Sequence, residues 1–196
     1  SVSLLSPVGA GYGSLQWEKE TTNVLPFSLV AATETKAEWM GLLVWNTTPL
    51  EVRVSYEILS NYAFVQQVVI SNRSKEAVKI DHQGRSFLLR WRPDIMSTNE
   101  AGTGNMQTYG ALVGKKFVSL LKKGLFSAPQ NAAFLSNFQW VSLADNYFVF
   151  IAEPKSGGIA ASYEVESRHK TVEKTAITLY LPGLLLGSGE ATNFTI

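Results

Sequence analysis

Three observations predict an all-β fold, a β-supersandwich of antiparallel sheets with little helix. Short runs alternate apolar and polar residues, as in Val52-Arg53-Val54-Ser55-Tyr56. Turn signals rich in glycine, asparagine and proline separate these runs. A sustained helical apolar period is hardly present, so a sandwich is the expected class.

The chain has 196 residues, which suits one large domain or two small ones, and a single β-sandwich domain over residues 1–196 is expected. A chain of this size buries about 70% of its unfolded surface and needs no staples. It has no cysteine, which excludes disulfides and thiolate metal sites. Seventeen basic and sixteen acidic residues leave a net charge of +1, against the basic excess of a nucleic-acid binder. Hydrophobic residues make up 45% and charged residues 17%, the balance of a folded chain rather than a disordered one. No run reaches the roughly eighteen apolar residues that span a bilayer. Residues 1–13 lack a basic leader with an apolar core, so no signal peptide is expected. The abrupt, apolar ends lead us to expect a fragment of a longer protein.

In chain order, Val2 to Leu5 is a short strand. Gly9, Gly11 and Gly13 form a turn or bulge, because glycine accepts positive φ. Ser14 to Glu18 alternates as an antiparallel strand does, so the glycines are not a phosphate loop. Thr21 to Trp39 is polar and weakly patterned, and Pro26 ends any element there. Gly41 to Trp45 is a strand, and Asn46-Thr47-Thr48-Pro49 is a turn. Val52 to Tyr56 is a clear strand. Tyr62 to Ile70 carries apolar residues on both faces and is expected between two layers. Ser71-Asn72-Arg73-Ser74 turns the chain, and Ala77 to Ile80 and Ser86 to Trp91 are two further strands.

Arg92 to Thr108 is irregular, small and polar, and is expected to be mobile. Tyr109 to Phe126 carries the pairs Lys115-Lys116 and Lys122-Lys123. It reads either as a basic amphipathic helix on a membrane surface or as one or two strands with lysine gatekeepers. Gly110, Gly114 and Gly124 weaken the helix, so the strand reading is preferred. Ala128 to Asn137 is a connector with a helical turn. Phe138 to Pro154 holds two aromatic, β-rich runs around Ala144-Asp145-Asn146, and is expected to be a pair of core strands. Ser156-Gly157-Gly158 reads as a hairpin turn. Ile159 to Glu166, Thr175 to Leu181 and Phe194 to Ile196 are strands. Pro182-Gly183 and Gly187-Ser188-Gly189-Glu190 are turns.

Catalytic patterns are weak. His82 and His169 each sit among charged residues, as exposed histidines near turns do. Glu166 and His169 share a face on a helix but not on a strand, and a zinc site needs three or four ligands. No G-x-S-x-G occurs, and Ser188 lies in a tight glycine turn. Asp81, Asp94, Glu100, Asp145 and Glu153 include enough carboxylates for a glycosidase pair, but that many acids arise by chance in a β-domain. Neither a catalytic set, a metal site nor a cofactor is expected. Surface aromatics stack on sugars or hold apolar peptide segments. Trp91, Tyr109, Trp140 and Tyr147 are the binding candidates, with core packing the commoner fate of such residues. Asn46-Thr47-Thr48, Asn72-Arg73-Ser74 and Asn193-Phe194-Thr195 fit the glycosylation pattern, which is frequent by chance.

Four segments occur in a telling order. They are Ser60-Asn61-Tyr62-Ala63-Phe64, then Ser71-Asn72-Arg73-Ser74, then Leu89-Arg90-Trp91-Arg92-Pro93, then Trp140-Val141-Ser142-Leu143-Ala144-Asp145-Asn146-Tyr147-Phe148. In this order they resemble the large first periplasmic domain of YidC membrane-protein insertases of Gram-negative type. The likeness covers most of the chain from Val52 onward. Before that it is limited to strand, glycine turn and strand. The resemblance implies a β-supersandwich related to the galactose-mutarotase fold. It implies no enzyme activity, but an accessory domain on the periplasmic side of the bacterial inner membrane. The implied partners are nascent or inserting membrane proteins and Sec translocon components. Flanking transmembrane helices, outside this sequence, would supply the membrane link. Relatives follow the last strand with a Gly-Pro-Lys segment and a helix, which this sequence does not contain. The rival from another class is a carbohydrate-binding or mutarotase-like protein of the same architecture, although His82 and His169 lack the surroundings of that family's histidine pair.

Overall fold

The computed structural model describes residues 14–17, 27–59, 63–91, 108–119, 132–144, 149–168 and 171–196. The described residues form fourteen strands and no helix: β1 (Ser14–Trp17), β2 (Ser28–Ala32), β3 (Lys36–Trp45), β4 (Thr48–Ile58), β5 (Phe64–Asn72), β6 (Val78–Trp91), β7 (Thr108–Val113), β8 (Lys116–Ser119), β9 (Ala132–Leu135), β10 (Phe138–Ala144), β11 (Val149–Ala152), β12 (Ala160–Arg168), β13 (Thr171–Leu186) and β14 (Ala191–Thr195). They make three sheets, ordered β1-β6-β13-β12-β9, β11-β10-β7-β8 and β14-β5-β4-β3-β2. The pairings resolved in register are antiparallel. The predicted all-β, antiparallel sandwich class is the observed one.

Contacts divide the chain into two compact units, neither of them one continuous segment. One is Ser1–Leu15, Leu88–Glu153 and Gly158–Tyr180; the other is Gln16–Phe87, Pro154–Gly157 and Leu181–Ile196. In the second unit, alternation puts Leu50, Val52, Val54 and Tyr56 of β4 on one face, with Val68 and Ile70 of β5 and Phe194 of β14. These pack with Val78, Ile80, Leu181, Leu184 and Leu186 into a core. Trp45 Nε1–H donates to Lys79 O at 3.0 Å, which ties β3 to β6. The β3–β4 turn is tight. Asn46 and Thr47 take φ of 44° and 74°, the two-residue hairpin geometry whose twist matches its strands. In the first unit, Ala111, Val141, Leu143 and Ala152 of the four-stranded sheet are buried with Trp91, Ala161, Tyr163, Ile177 and Leu179.

Several elements differ from the sequence-based reading. The polar stretch Thr21 to Trp39 contains β2 and the start of β3. Ala77 to Ile80 and Ser86 to Trp91 are one strand, β6, interrupted where Gln83 and Gly84 take φ of 55° and 84°. Asp81 Oδ1 accepts the Gly84 N–H there at 2.7 Å, so a side chain replaces a ladder bond. The described part of the connector Ala128 to Asn137 holds strand β9 rather than a helical turn. Ser156-Gly157-Gly158 closes no hairpin, because β11 and β12 belong to different sheets. Pro182-Gly183 lies inside β13. β12 ends opposite Tyr180, so Pro182 sacrifices no bond to it. A Cβ on Gly183 would sit 3.1 Å from Asp81 Oδ1, so glycine there permits close approach to β6. β5 was expected between two layers, yet only its Gln66, Val68 and Ile70 side is fully covered before the strand's end. Four consecutive buried residues, covered on both faces, occur instead at 86–89 of β6 and 176–179 of β13. The turn read at Ser71 to Ser74 begins later, since Ser71 and Asn72 still belong to β5. Residues 1–13, 92–107 and 120–131 lie outside the described residues, and with them the first strand, the glycine turn, the long irregular segment and the Lys122-Lys123 pair.

Candidate functional site

The four-stranded sheet has one covered face and one open face. β7 and β8 form a hairpin on the two-residue turn Gly114-Lys115. Gly114 takes φ of 60°, which glycine adopts without a side-chain penalty. This is the strand reading of the segment, not the basic helix. Register then sets Leu112 opposite both Phe117 and Trp140. Opposed residues share a face, so Trp140, Leu112 and Phe117 make a row across three strands. The next row is Gly110, Ser142 and Ile151, and the third includes Ala144 and Val149.

Phe117 lies over Gly110. A Cβ on Gly110 would meet Phe117 Cε2 at 2.8 Å, Phe117 Cζ at 2.9 Å and Ser142 Oγ at 3.0 Å. The absence of a side chain at 110 therefore lets the ring lie down. Its centroid is 5.8 Å from that of Trp140, with 40° between the planes, within the favourable range for aromatic pairs. Gly110 O accepts the buried Tyr163 hydroxyl, which fixes β7 against the core, and also the Ser142 hydroxyl from the neighbouring strand β10. Phe117 remains 58% exposed, Val149 60% and Ile151 54%. The positions that the strand register places on this face are uncharged, and Glu153, just past the end of β11, is exposed. Lys115 in the turn and Lys116 at the head of β8 are exposed at its margin. Covering a Phe117-sized side chain is worth about 1.5–3 kcal/mol, so the face can bind apolar surface.

The four aromatic candidates separate. Trp140 is half-buried on the open face. Trp91 is only 1% exposed, in contact with the Phe150 ring at 6.3 Å. Its size and apolar neighbours make it a core residue, so it lines no surface. The Tyr109 backbone pairs with Leu143 in β7, but its side chain lies outside what is described, as does Tyr147. Phe117 and Gly110 were not singled out by sequence. The Gly-Lys turn was a usable signal, since a two-residue hairpin fixes which residues oppose. The pairing of β7 with the distant β10 was not.

Among the described residues the ionisable candidates do not gather into one cluster. Asp81 is held below the usual carboxylate range, first by the Gly84 N–H and then by Lys79, whose Nζ is 3.1 Å from Oδ2. It stays ionised and supports the β6 irregularity. His82 is half-buried beside it, and Glu153 is exposed. Asp94, Glu100, Asp145 and His169 lie outside the described residues. Among the described residues no three His, Cys, Asp or Glu side chains gather as metal ligands. No described helix is long and apolar enough to cross a membrane. Asn72 is fully buried, so that glycosylation pattern presents no accessible acceptor. No protein-family model matches the chain, and no curated protein matches it.

Proposed function

We propose that this chain is the periplasmic domain of a YidC-type inner-membrane insertase and foldase, and that it acts by binding. It holds apolar segments of nascent or inserting membrane proteins, or of a Sec translocon partner, and assigns itself no bond-making step. The identity is supported by the ordered segments from Ser60 to Phe148 and by the all-β class. The mode of action is supported above all by one observation: the uncharged face on which Phe117 lies over Gly110 against Trp140. Docking apolar polypeptide there strips water from carbon surface without desolvating a charge.

The test is binding of a synthetic peptide that copies a membrane-spanning segment, kept soluble by terminal lysines. Phe117→Asp and Trp140→Asp should each weaken it at least about tenfold, the equivalent of about 1.4 kcal/mol, while the protein stays folded. Equal binding by both variants sinks the proposed face. A full-length gene product without membrane-spanning segments around this region would sink the insertase identity. The half-buried Trp140 ring on the open face also suits the carbohydrate-binding alternative. Binding to a sugar panel that is lost in a folded Trp140→Ala protein would favour that reading instead.

A further inference from the structure

The two edges of the five-stranded sheet β14-β5-β4-β3-β2 are finished differently. At the β14 edge, Thr195 O accepts the Lys155 N–H at 2.8 Å and the Thr195 N–H donates to Ser156 Oγ at 3.1 Å. The outward backbone groups of Thr195 are thus met by the chain itself. At the other edge, all five residues of β2, Ser28-Leu29-Val30-Ala31-Ala32, are exposed, and none is charged or proline. Among the described residues no strand lies beyond it.

The β2–β3 hairpin shows how this edge is oriented. Thr33 N–H donates to Lys36 O at 2.7 Å, and Lys36 N–H to Thr33 Oγ1 at 3.0 Å. Antiparallel ladders alternate bonded and non-bonded pairs. The next pair, Ala32 with Ala37, is therefore the non-bonded kind, and the Ala32 N–H and C=O point away from β3. Sheet edges in monomeric proteins are ordinarily protected by lysine, proline, a bulge inward or a covering segment. β2 has a register irregularity between Leu29 and Ala31 but none of the charges.

We infer that the β2 edge is a strand-addition site, which takes an extended, uncharged, apolar polypeptide segment as an added strand. Outward backbone donors and acceptors specify an extended chain, and the uncharged side chains specify an apolar one. A second copy of this chain is a poorer occupant. Five residues span only about 17 Å, and stable interfaces between folded partners bury about 1,200 Å² or more. A single extended strand needs no such area for transient capture. The inference rests on the proposed holding function for the nature of the client, but it involves different residues from the aromatic face.

The test uses the whole chain and a short, capped, alternating valine–threonine peptide, with a twin N-methylated at alternate residues. The unmodified peptide should bind and slow hydrogen exchange at the Ala32 amide. N-methylation should weaken binding about tenfold, as loss of one or two backbone hydrogen bonds does. Ala32→Pro removes the outward N–H without touching the bonds to β3 and should weaken it similarly. Val30→Lys, at an exposed position, should do the same and keeps the test standing if the proline variant misfolds. Trp140→Asp should leave this peptide's binding unchanged, which separates failure here from failure of the aromatic face. The inference is overturned by no binding, by equal binding of the N-methylated twin, or by a concentration-dependent dimer that Val30→Lys abolishes.

Discussion

The outward faces of the four-stranded and the five-stranded sheets both expose large apolar side chains, yet they are different surfaces. On the five-stranded sheet Leu42 and Val44 are as exposed as Phe117 is on the other. They stand, however, beside a chain of charges. Glu38 pairs with Arg53 at 3.0 Å, and Glu51 Oε1 accepts Arg53 Nε–H and Arg73 Nη2–H, each at 2.8 Å. Leu42 is directly opposite Glu51, and Met40 opposite Arg53. A partner settling on that face must strip water from ions, which is costly. On the four-stranded face the register places apolar and hydroxyl-bearing residues, none of them charged. Exposed leucine or valine alone does not mark a docking site; the missing charge beside it does.

Three perturbations sharpen this contrast. The largest effect is expected from Asn72→Ala, which attacks the scaffold of the ion-paired sheet. The buried Asn72 amide donates to Glu76 O, Leu186 O and Gly187 O at 2.7–3.1 Å, and its Oδ1 accepts from Ser74 N–H and Oγ–H. Truncation leaves the buried Leu186 carbonyl without its Asn72 donor and removes the other bonds of the buried amide, and should cost about 2–3 kcal/mol in denaturant unfolding. A loss within the scatter of ordinary surface changes would show that Asn72 is not the anchor of β5.

Gly110→Ala perturbs the aromatic face instead. The atoms it displaces are the far end of an exposed ring, so stability should change by less than about 1 kcal/mol. The Phe117 ring should nevertheless leave Trp140, and its proton resonances should lose their ring-current shift. Unchanged resonances would mean that the glycine does not position the ring.

The smallest effect is expected from Glu51→Gln. Bonds from Arg73 and then Arg53 hold the Glu51 carboxyl below its ordinary value of 4.5. A depressed folded-state value stabilises above the unfolded-state value, and that contribution is lost as pH falls through the folded-state one. At neutral pH the substitution should therefore cost less than about 1 kcal/mol, because the two arginines are half-exposed. Wild type and variant should converge in strongly acidic solution. A difference that persists there would assign the effect to packing rather than charge.

Much of the architecture was legible in the sequence, because a period of two along a strand declares both its type and its buried face. Val52, Val54 and Tyr56 announce β4 in this way, and Val141 and Leu143 announce the inner side of β10. Turns that depend on local chemistry were legible too. Gly187 to Glu190 closes through a Glu190 N–H to Gly187 O bond, with Gly189 at φ of 70°. Pro182-Gly183 looked the same by composition but lies within β13. There close approach to Asp81 and the end of β12, not local propensity, set the conformation.

The sequence by itself determined the class of fold, most strand positions and the near balance of charge, since these follow from side-chain alternation and composition. Tertiary structure alone decided which aromatics reach solvent. Trp91 and Trp140 carry the same side chain, and both lie in strands. One is enclosed, with the half-buried Phe150 ring against it; the other is open because β7 and β8 place Leu112 and Phe117 beside it on the outer face. That outcome depends on pairings between segments far apart in the chain, and the physical reason is simple: alternation tells which residues share a face, but only the partner strands tell which face is covered.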